Sequence, residues 1–211
     1  MSQHDIVVGP DSKARCAWGV STDDYIDYHD NEWGRPVVAD NTLFEKLVLE
    51  GFQSGLSWLT ILRKRPAFRR AFAGFDPAVV AEIGEPEIEA LLSDASIVRH
   101  RGKIAAAITN ARATLNVQRE RGSLAAFVWP YAPSAIEFDE RPEWQHNVPG
   151  LTATSKRLAK DLKVQGFVFV GPTTVYAFMQ AMGLVNDHHS ACYVHGEVSQ
   201  QQAAVRAKMK P

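Results

Sequence analysis

Two cysteines and two histidines fall into pairs near opposite ends of the chain. Cys16 is followed thirteen residues later by His29, and His188 is followed four residues later by Cys192. On a helix the second pair shares one face. Pooled, the pairs give two sulfurs and two imidazoles, a full tetrahedral donor set for Zn²⁺ with no position left for water. Such a zinc would be structural and would pin the two ends of the chain together. The spacing leaves alternatives open. Cys-x12-His is not a standard zinc-finger interval, His189 and His195 are further candidate ligands, and the two thiols also read as separately buried residues, the commonest case, or as one disulfide, although a disulfide scaffold of this length usually carries more cysteines.

A second group of residues suggests recognition of a flat ligand. Trp18, Tyr25, Tyr28, Trp33 and Trp58 lie within about forty residues, with Glu50 among them. The run from Tyr25 to Gly34 alternates rings with polar groups, as a slot that stacks and reads a nucleobase would. The same rings could equally be core. Glu50 ends an expected helix over 42–50, where the helix dipole disfavours a carboxylate by about 0.3–1 kcal/mol. It is therefore either paired with an arginine such as Arg63 or aimed at a cationic or hydrogen-donating ligand.

The third feature is Gln165-Gly166-Phe167-Val168-Phe169-Val170-Gly171-Pro172-Thr173, which joins two expected helices. Gly171 permits close backbone approach, Pro172 suits a first helical turn, and the free N–H groups at that helix start could hold a phosphate. Lys156, Arg157, Lys160 and Lys163 stand just upstream. Arg99-His100-Arg101-Gly102-Lys103 is a second basic element at a helix start. Charge falls in blocks: residues 51–75 hold five bases and no acid, and residues 76–94 hold six acids and no base. Three basic blocks on one surface could line a polyanion.

The elements that must position these groups read as helices. Thr42 to Glu45 fits a capping box. Ser57–Arg65 is expected to stop before Pro66, and Pro77 and Pro86 each open a new helix. Lys103–Arg121, Ser155–Gln165 and Thr173–Met182 are each followed by a glycine suited to the C-terminal cap. The only β-like run is Phe167–Val170. Residues 131–154 read as a loop, and residues 1–13 and 197–211 as flexible tails around a domain spanning 14–196. With 211 residues, 45% hydrophobic and net charge -1, the chain is expected to be one all-α domain and is not a disordered chain. It has no apolar run long enough to span a membrane, and its first residues lack a signal-peptide core, so a cytoplasmic location is expected.

Six stretches carry a family resemblance: Cys16-Ala17-Trp18, Tyr28 to Gly34, Glu50 to Trp58, Arg99 to Lys103, Gly166 to Thr173, and Asn186-Asp187-His188. In that order, over residues 14–195, they resemble type I 3-methyladenine DNA glycosylases. The resemblance implies an all-α helix–hairpin–helix DNA glycosylase fold without a β-sheet. It implies one structural zinc on Cys16, His29, His188 and Cys192, joining the N- and C-terminal regions. It implies Glu50 and Tyr28 as catalytic residues, with Trp58, Tyr25, Trp18 and Trp33 around the base. Gly166, Gly171 and Thr173 would hold the DNA backbone. The expected activity is hydrolytic excision of 3-methyladenine from alkylated double-stranded DNA by a monomer. It leaves an abasic site and free 3-methyladenine, with no strand cleavage because no lysine is placed as a Schiff-base nucleophile. Asp187 is expected to orient a histidine ligand of the zinc.

Overall fold

One helix, Asp40–Gln53, is apolar around most of its circumference, and the other elements assemble on it. Leu43, Phe44, Leu47, Val48, Leu49 and Phe52 are all buried, as expected of a helix at the centre of a fold. The structure, a computed structural model, describes residues 6–133 and 148–209. Within them two short strands, β1 (Ile6–Val8) and β2 (Ala14–Cys16), precede ten α-helices. These are α1 (Asp23–Asn31), α2 (Asp40–Gln53), α3 (Trp58–Ala71), α4 (Pro77–Ala81), α5 (Glu85–Ser93), α6 (Arg101–Arg121), α7 (Leu124–Val128), α8 (Ala153–Val164), α9 (Pro172–Ala181) and α10 (His195–Lys208).

The helix α2 packs against α6, α9, α7 and α3. Its far end joins an aromatic run in which Phe52 meets Phe68 and Phe72, and Phe72 stacks on Phe75 at 5.6 Å. The long α6 presents Ile104, Ala107, Ile108 and Ala111 to the core. Its small residues allow a close approach to α4 and α2. No helix among the described residues is long and apolar enough to cross a membrane.

Several expected boundaries move, each for a physical reason. Helix α2 starts at Asp40 rather than at a Thr42 capping box. Asp40 turns its carboxylate away to the start of α7, accepting from the N–H groups of Leu124 (2.9 Å) and Ala125 (3.0 Å). Helix α3 runs through Pro66 to Ala71. Pro66 lies on the exposed face, while Ile61, Leu62, Ala67 and Phe68 on either side are buried. Their burial offsets the lost backbone hydrogen bond. The β-like run Phe167–Val170 is a turn, not a strand.

The described parts of the expected tails are ordered structure. Residues 6–16 form an antiparallel hairpin with Ile6 opposite Cys16 and Val8 opposite Ala14, so the fold does include a small two-stranded sheet. Its turn is tied by Asp11, which accepts from the Lys13 N–H and from Arg15. At the other end α10 buries Val198 and Gln202. It is fastened by Arg35 to Glu197 at 2.8 Å and by Asn186 to Ser199 at 2.9 Å. The middle of the expected 131–154 loop, residues 134–147, lies outside the described residues.

Candidate active site and metal centre

Cys16 closes β2, His29 lies on α1, and His188 and Cys192 stand in the segment between α9 and α10. The fold brings all four together, buried, with their ligand atoms within 4.8 Å of one another. Cys192 Sγ is 3.6 Å from His29 Nε2 and 3.8 Å from His188 Nδ1, and Cys16 Sγ is 3.8 Å from His188 Nδ1. Sulfur and nitrogen donors on a tetrahedral ion at ordinary bond lengths stand about 3.5 Å apart. The cluster therefore has the composition and spacing to hold a metal ion.

The opposite ring nitrogens are also occupied. His29 Nδ1 lies 2.8 Å from Asp30 Oδ1, and His188 Nε2 lies 3.0 Å from the Trp33 carbonyl. Each imidazole thus turns one nitrogen into the cluster and fixes the other on an acceptor, the arrangement that orients metal-binding histidines. The role expected of Asp187 is filled instead by Asp30 and this carbonyl. Burial raises the Asp30 carboxyl, but hydrogen bonds from Arg15 bring it below its usual range. The two thiols oppose each other. Cys16 is pushed up by its neighbour Cys192 and by burial, while Cys192 is drawn down by hydrogen bonds from Cys16, His188 and His29. Gly34, with φ of 80°, lies against His188, where a Cβ would come within 2.9 Å of Nε2. A side chain there would collide with the ring.

Trp33 and Trp18 connect this cluster to a cavity. The Trp33 ring meets His188 at 4.6 Å edge-to-face, and Trp18 meets His29 at 5.4 Å. Both rings, with Tyr25, Tyr28, Trp58 and Glu50, line a cavity of about 380 Å³. Every aromatic residue expected at the base site is therefore on one pocket wall. The rings of Tyr28 and Trp58 meet at 5.5 Å, tilted by 42°. The Trp58 indole N–H is buried and has no hydrogen-bond partner among the described residues. Burial, with Glu50 nearby, raises the Tyr28 hydroxyl well above its usual range, so it stays protonated.

Sequence reasoning missed several members of this wall. Gln53, Gln180 and Asp187 also line it. Asp187 Oδ2 accepts from Tyr176 at 2.6 Å and from Gln180 at 2.8 Å. Glu50 lies within α2 rather than at its end, and it is not paired with Arg63, which binds Asp24. Its partner is Lys46, 2.9 Å away. The i,i+4 spacing of Lys46 and Glu50 was the available signal, but in a sequence that pattern reads as a surface pair.

The turn between α8 and α9 brings Phe169 to Gly51, the residue after Glu50, where a Cβ would lie 3.5 Å from the Phe169 side chain. Gly166, with φ of 91°, ends α8. Asn110 of α6 clasps the turn, donating to the Val168 carbonyl at 3.0 Å and accepting from its N–H at 2.8 Å. Phe167 and Val170 are buried, while Val168 and Phe169 stand exposed. On α8, Lys156, Lys160 and Lys163 share an exposed face opposite the buried Leu158, Ala159 and Leu162. Several bases of the other blocks are paired within the chain, some of them on its exposed surface. Arg65 pairs with Glu32, Arg69 with Glu45, and Arg101 with Glu85 and Glu89. Lys103 donates to the carbonyls of Phe52 and Ser54, closing the end of α2.

Comparison with known proteins gives the family. Residues 18–195 match the family described as Methyladenine glycosylase. The chain belongs to that family. It is 46% identical over 178 residues to DNA-3-methyladenine glycosylase 1 of Escherichia coli K12, covering 84% of this chain and 95% of that one. It is 44% identical to the DNA-3-methyladenine glycosylase of Haemophilus influenzae, covering 84% and 96%. Among solved structures it resembles the Staphylococcus aureus 3-methyladenine DNA glycosylase I described for its recognition of 3-methyladenine. That match has a TM-score of 0.76 at 35% identity, over 86% of this chain and 96% of that one. The methyladenine glycosylase match begins at Trp18, so β1 and β2 precede it, and it ends at His195, where α10 starts.

Proposed function

We propose that this chain is a DNA-3-methyladenine glycosylase that hydrolyses the N-glycosidic bond of N3-methyladenine in duplex DNA. The observation that carries the reading is the buried Glu50 carboxylate in one cavity wall with the rings of Tyr28 and Trp58. Methylation at N3 puts a positive charge on the base. A carboxylate and electron-rich ring faces attract that charge, and they do so more strongly in a pocket that excludes water.

The base is extruded from the duplex and stacked among the rings. Glu50 accepts from the base edge. Tyr28 already accepts from Lys46 at 2.9 Å, so its own proton is available to the base, and the Trp58 indole N–H is a further donor. The bond between C1′ and the base nitrogen then breaks, and its electron pair neutralises the base. Water adds to C1′ and loses a proton, leaving an abasic site. Because the leaving base is neutral, little acid catalysis is required. We read the enzyme as monofunctional: Lys46 contacts the pocket groups but does not line the cavity, so it is not placed to attack the sugar.

The turn around Gly166, Gly171 and Thr173 is read as the hairpin of a helix–hairpin–helix unit that grips the DNA backbone. The exposed lysines of α8 add attraction for phosphate. The metal is read as zinc on Cys16, His29, His188 and Cys192. When bound it supplies a closed structural crosslink, with both thiolates neutralised by the cation.

The test is chromatography of bases released from methylated duplex DNA by the wild type and by Glu50→Ala. Release of 3-methyladenine by the wild type, with the variant far slower, is expected. Tight DNA binding without any released base would overturn the enzymatic reading.

A further inference from the structure

Lys46 precedes Glu50 by one helical turn, and its side chain is 7% exposed. Its Nζ lies 2.9 Å from Glu50 Oε1, donates to the Tyr28 hydroxyl oxygen at 2.9 Å, and stands 3.1 Å from the centroid of the Trp58 ring. Three groups from three different helices, all of them in the cavity wall, therefore meet on one ammonium that is not itself in the wall. The amine occupies two of the interactions a cationic base needs, the Glu50 charge and the Trp58 π-face.

We propose that Lys46 is a positioning residue that sets the charge of the base pocket. As an ammonium it holds Tyr28, Glu50 and Trp58 in register and takes up part of the Glu50 charge. On losing its proton to solvent it leaves that charge to the cationic base. The inference rests on the reading of the pocket given above. The charged and titratable groups facing Lys46 are Tyr28 and Glu32 on α1, Glu45 and Glu50 on α2, and Arg65 and Arg69 on α3; α9 and its end bring only Ala181 and Met182 to this side. Burial pushes the Lys46 ammonium down to about 8, with Glu50 opposing that fall. The change of charge thus falls in a range where duplex DNA is stable.

The experiment follows single-turnover excision of N3-methyladenine from duplex DNA at saturating protein between pH 6.5 and 9.5, with spontaneous depurination subtracted. The forms compared are the wild type, Lys46→Met and Lys46→Arg. The wild-type rate is expected to rise about tenfold through a midpoint near 8, as one competing charge leaves the pocket. Neither variant has a proton to lose in that range, so both profiles are expected to be flat. A flat wild-type profile overturns the proposal, and so does a step that persists in Lys46→Met.

Should the variants melt early or lose metal, ¹³C NMR of lysine side chains in the wild type decides the point. A lysine Cε resonance absent from the Lys46→Arg spectrum and titrating near 8 supports the proposal. Titration of every lysine near 10.5 overturns it. Absence of released base from the wild type at every pH is a different result, which removes the glycosylase reading and this inference with it.

Discussion

The metal cluster and the base pocket share Trp18 and Trp33, yet they are built to opposite ends. In the cluster each histidine has one nitrogen turned inward and the other fixed on Asp30 or on the Trp33 carbonyl. In the pocket the Trp58 N–H is buried with no partner among the described residues, and a carboxylate is held in an open cavity by an amine behind it. Buried polar groups are normally satisfied within the protein. The cluster has the donors to meet that rule with an ion, and the pocket has groups that a ligand would satisfy. One region uses buried polarity to hold the chain, the other to receive something from outside.

The sharpest way to break this contrast is to remove a donor from the cluster. Cys192→Ala is expected to abolish stoichiometric metal binding and to lower the melting temperature by about 10 °C or more, read by elemental analysis and calorimetry. An unchanged melting temperature would mean that the cluster does not hold the ends. Glu50→Gln is the converse change. Excision should fall on the order of a hundredfold while metal content stays full. Loss of metal from that variant would merge the two sites into one unit. Asp30→Asn removes the support of His29, and metal affinity measured by chelator competition should drop about 10–100-fold, with excision intact at saturating metal. The smallest effect is expected at Asn110→Ala. Losing both bonds to Val168 should cost about 1–3 kcal/mol of stability and weaken duplex binding about tenfold. Binding of free 3-methyladenine, followed by tryptophan fluorescence, should be unaffected.

How far each region could be read beforehand follows from the same contrast. The donors of the cluster were visible as residue types, but their spacing left the set open between His188, His189 and His195, and only the family resemblance chose among them. The aromatic wall was legible because five large rings with Glu50 fall in one stretch of sequence. Lys46 was not, because its neighbours Tyr28 and Trp58 come from other helices and only packing shows that the pair is buried. Asn110 was hidden for the same reason, being one polar residue on an alanine-rich helix until Val168 is placed beside it. The pairing of the basic blocks was not visible either, since the acids that meet Arg65, Arg69 and Arg101 lie 33, 24 and 12–16 residues away. Helix centres were visible from periodicity. The short β1–β2 hairpin was missed because three residues per strand give almost no alternation to count.

Cys16 and His188 are 172 residues apart, and that distance orders events during synthesis. The cluster cannot close until the segment carrying His188 and Cys192 has left the ribosome. Joining such remote residues costs chain entropy before any contact repays it. A chain truncated before residue 188 would keep Cys16 and His29 without their counterparts, leaving its first strands unanchored. The ion would then act as a late seal, set only after every helix from α1 to α9 has been translated.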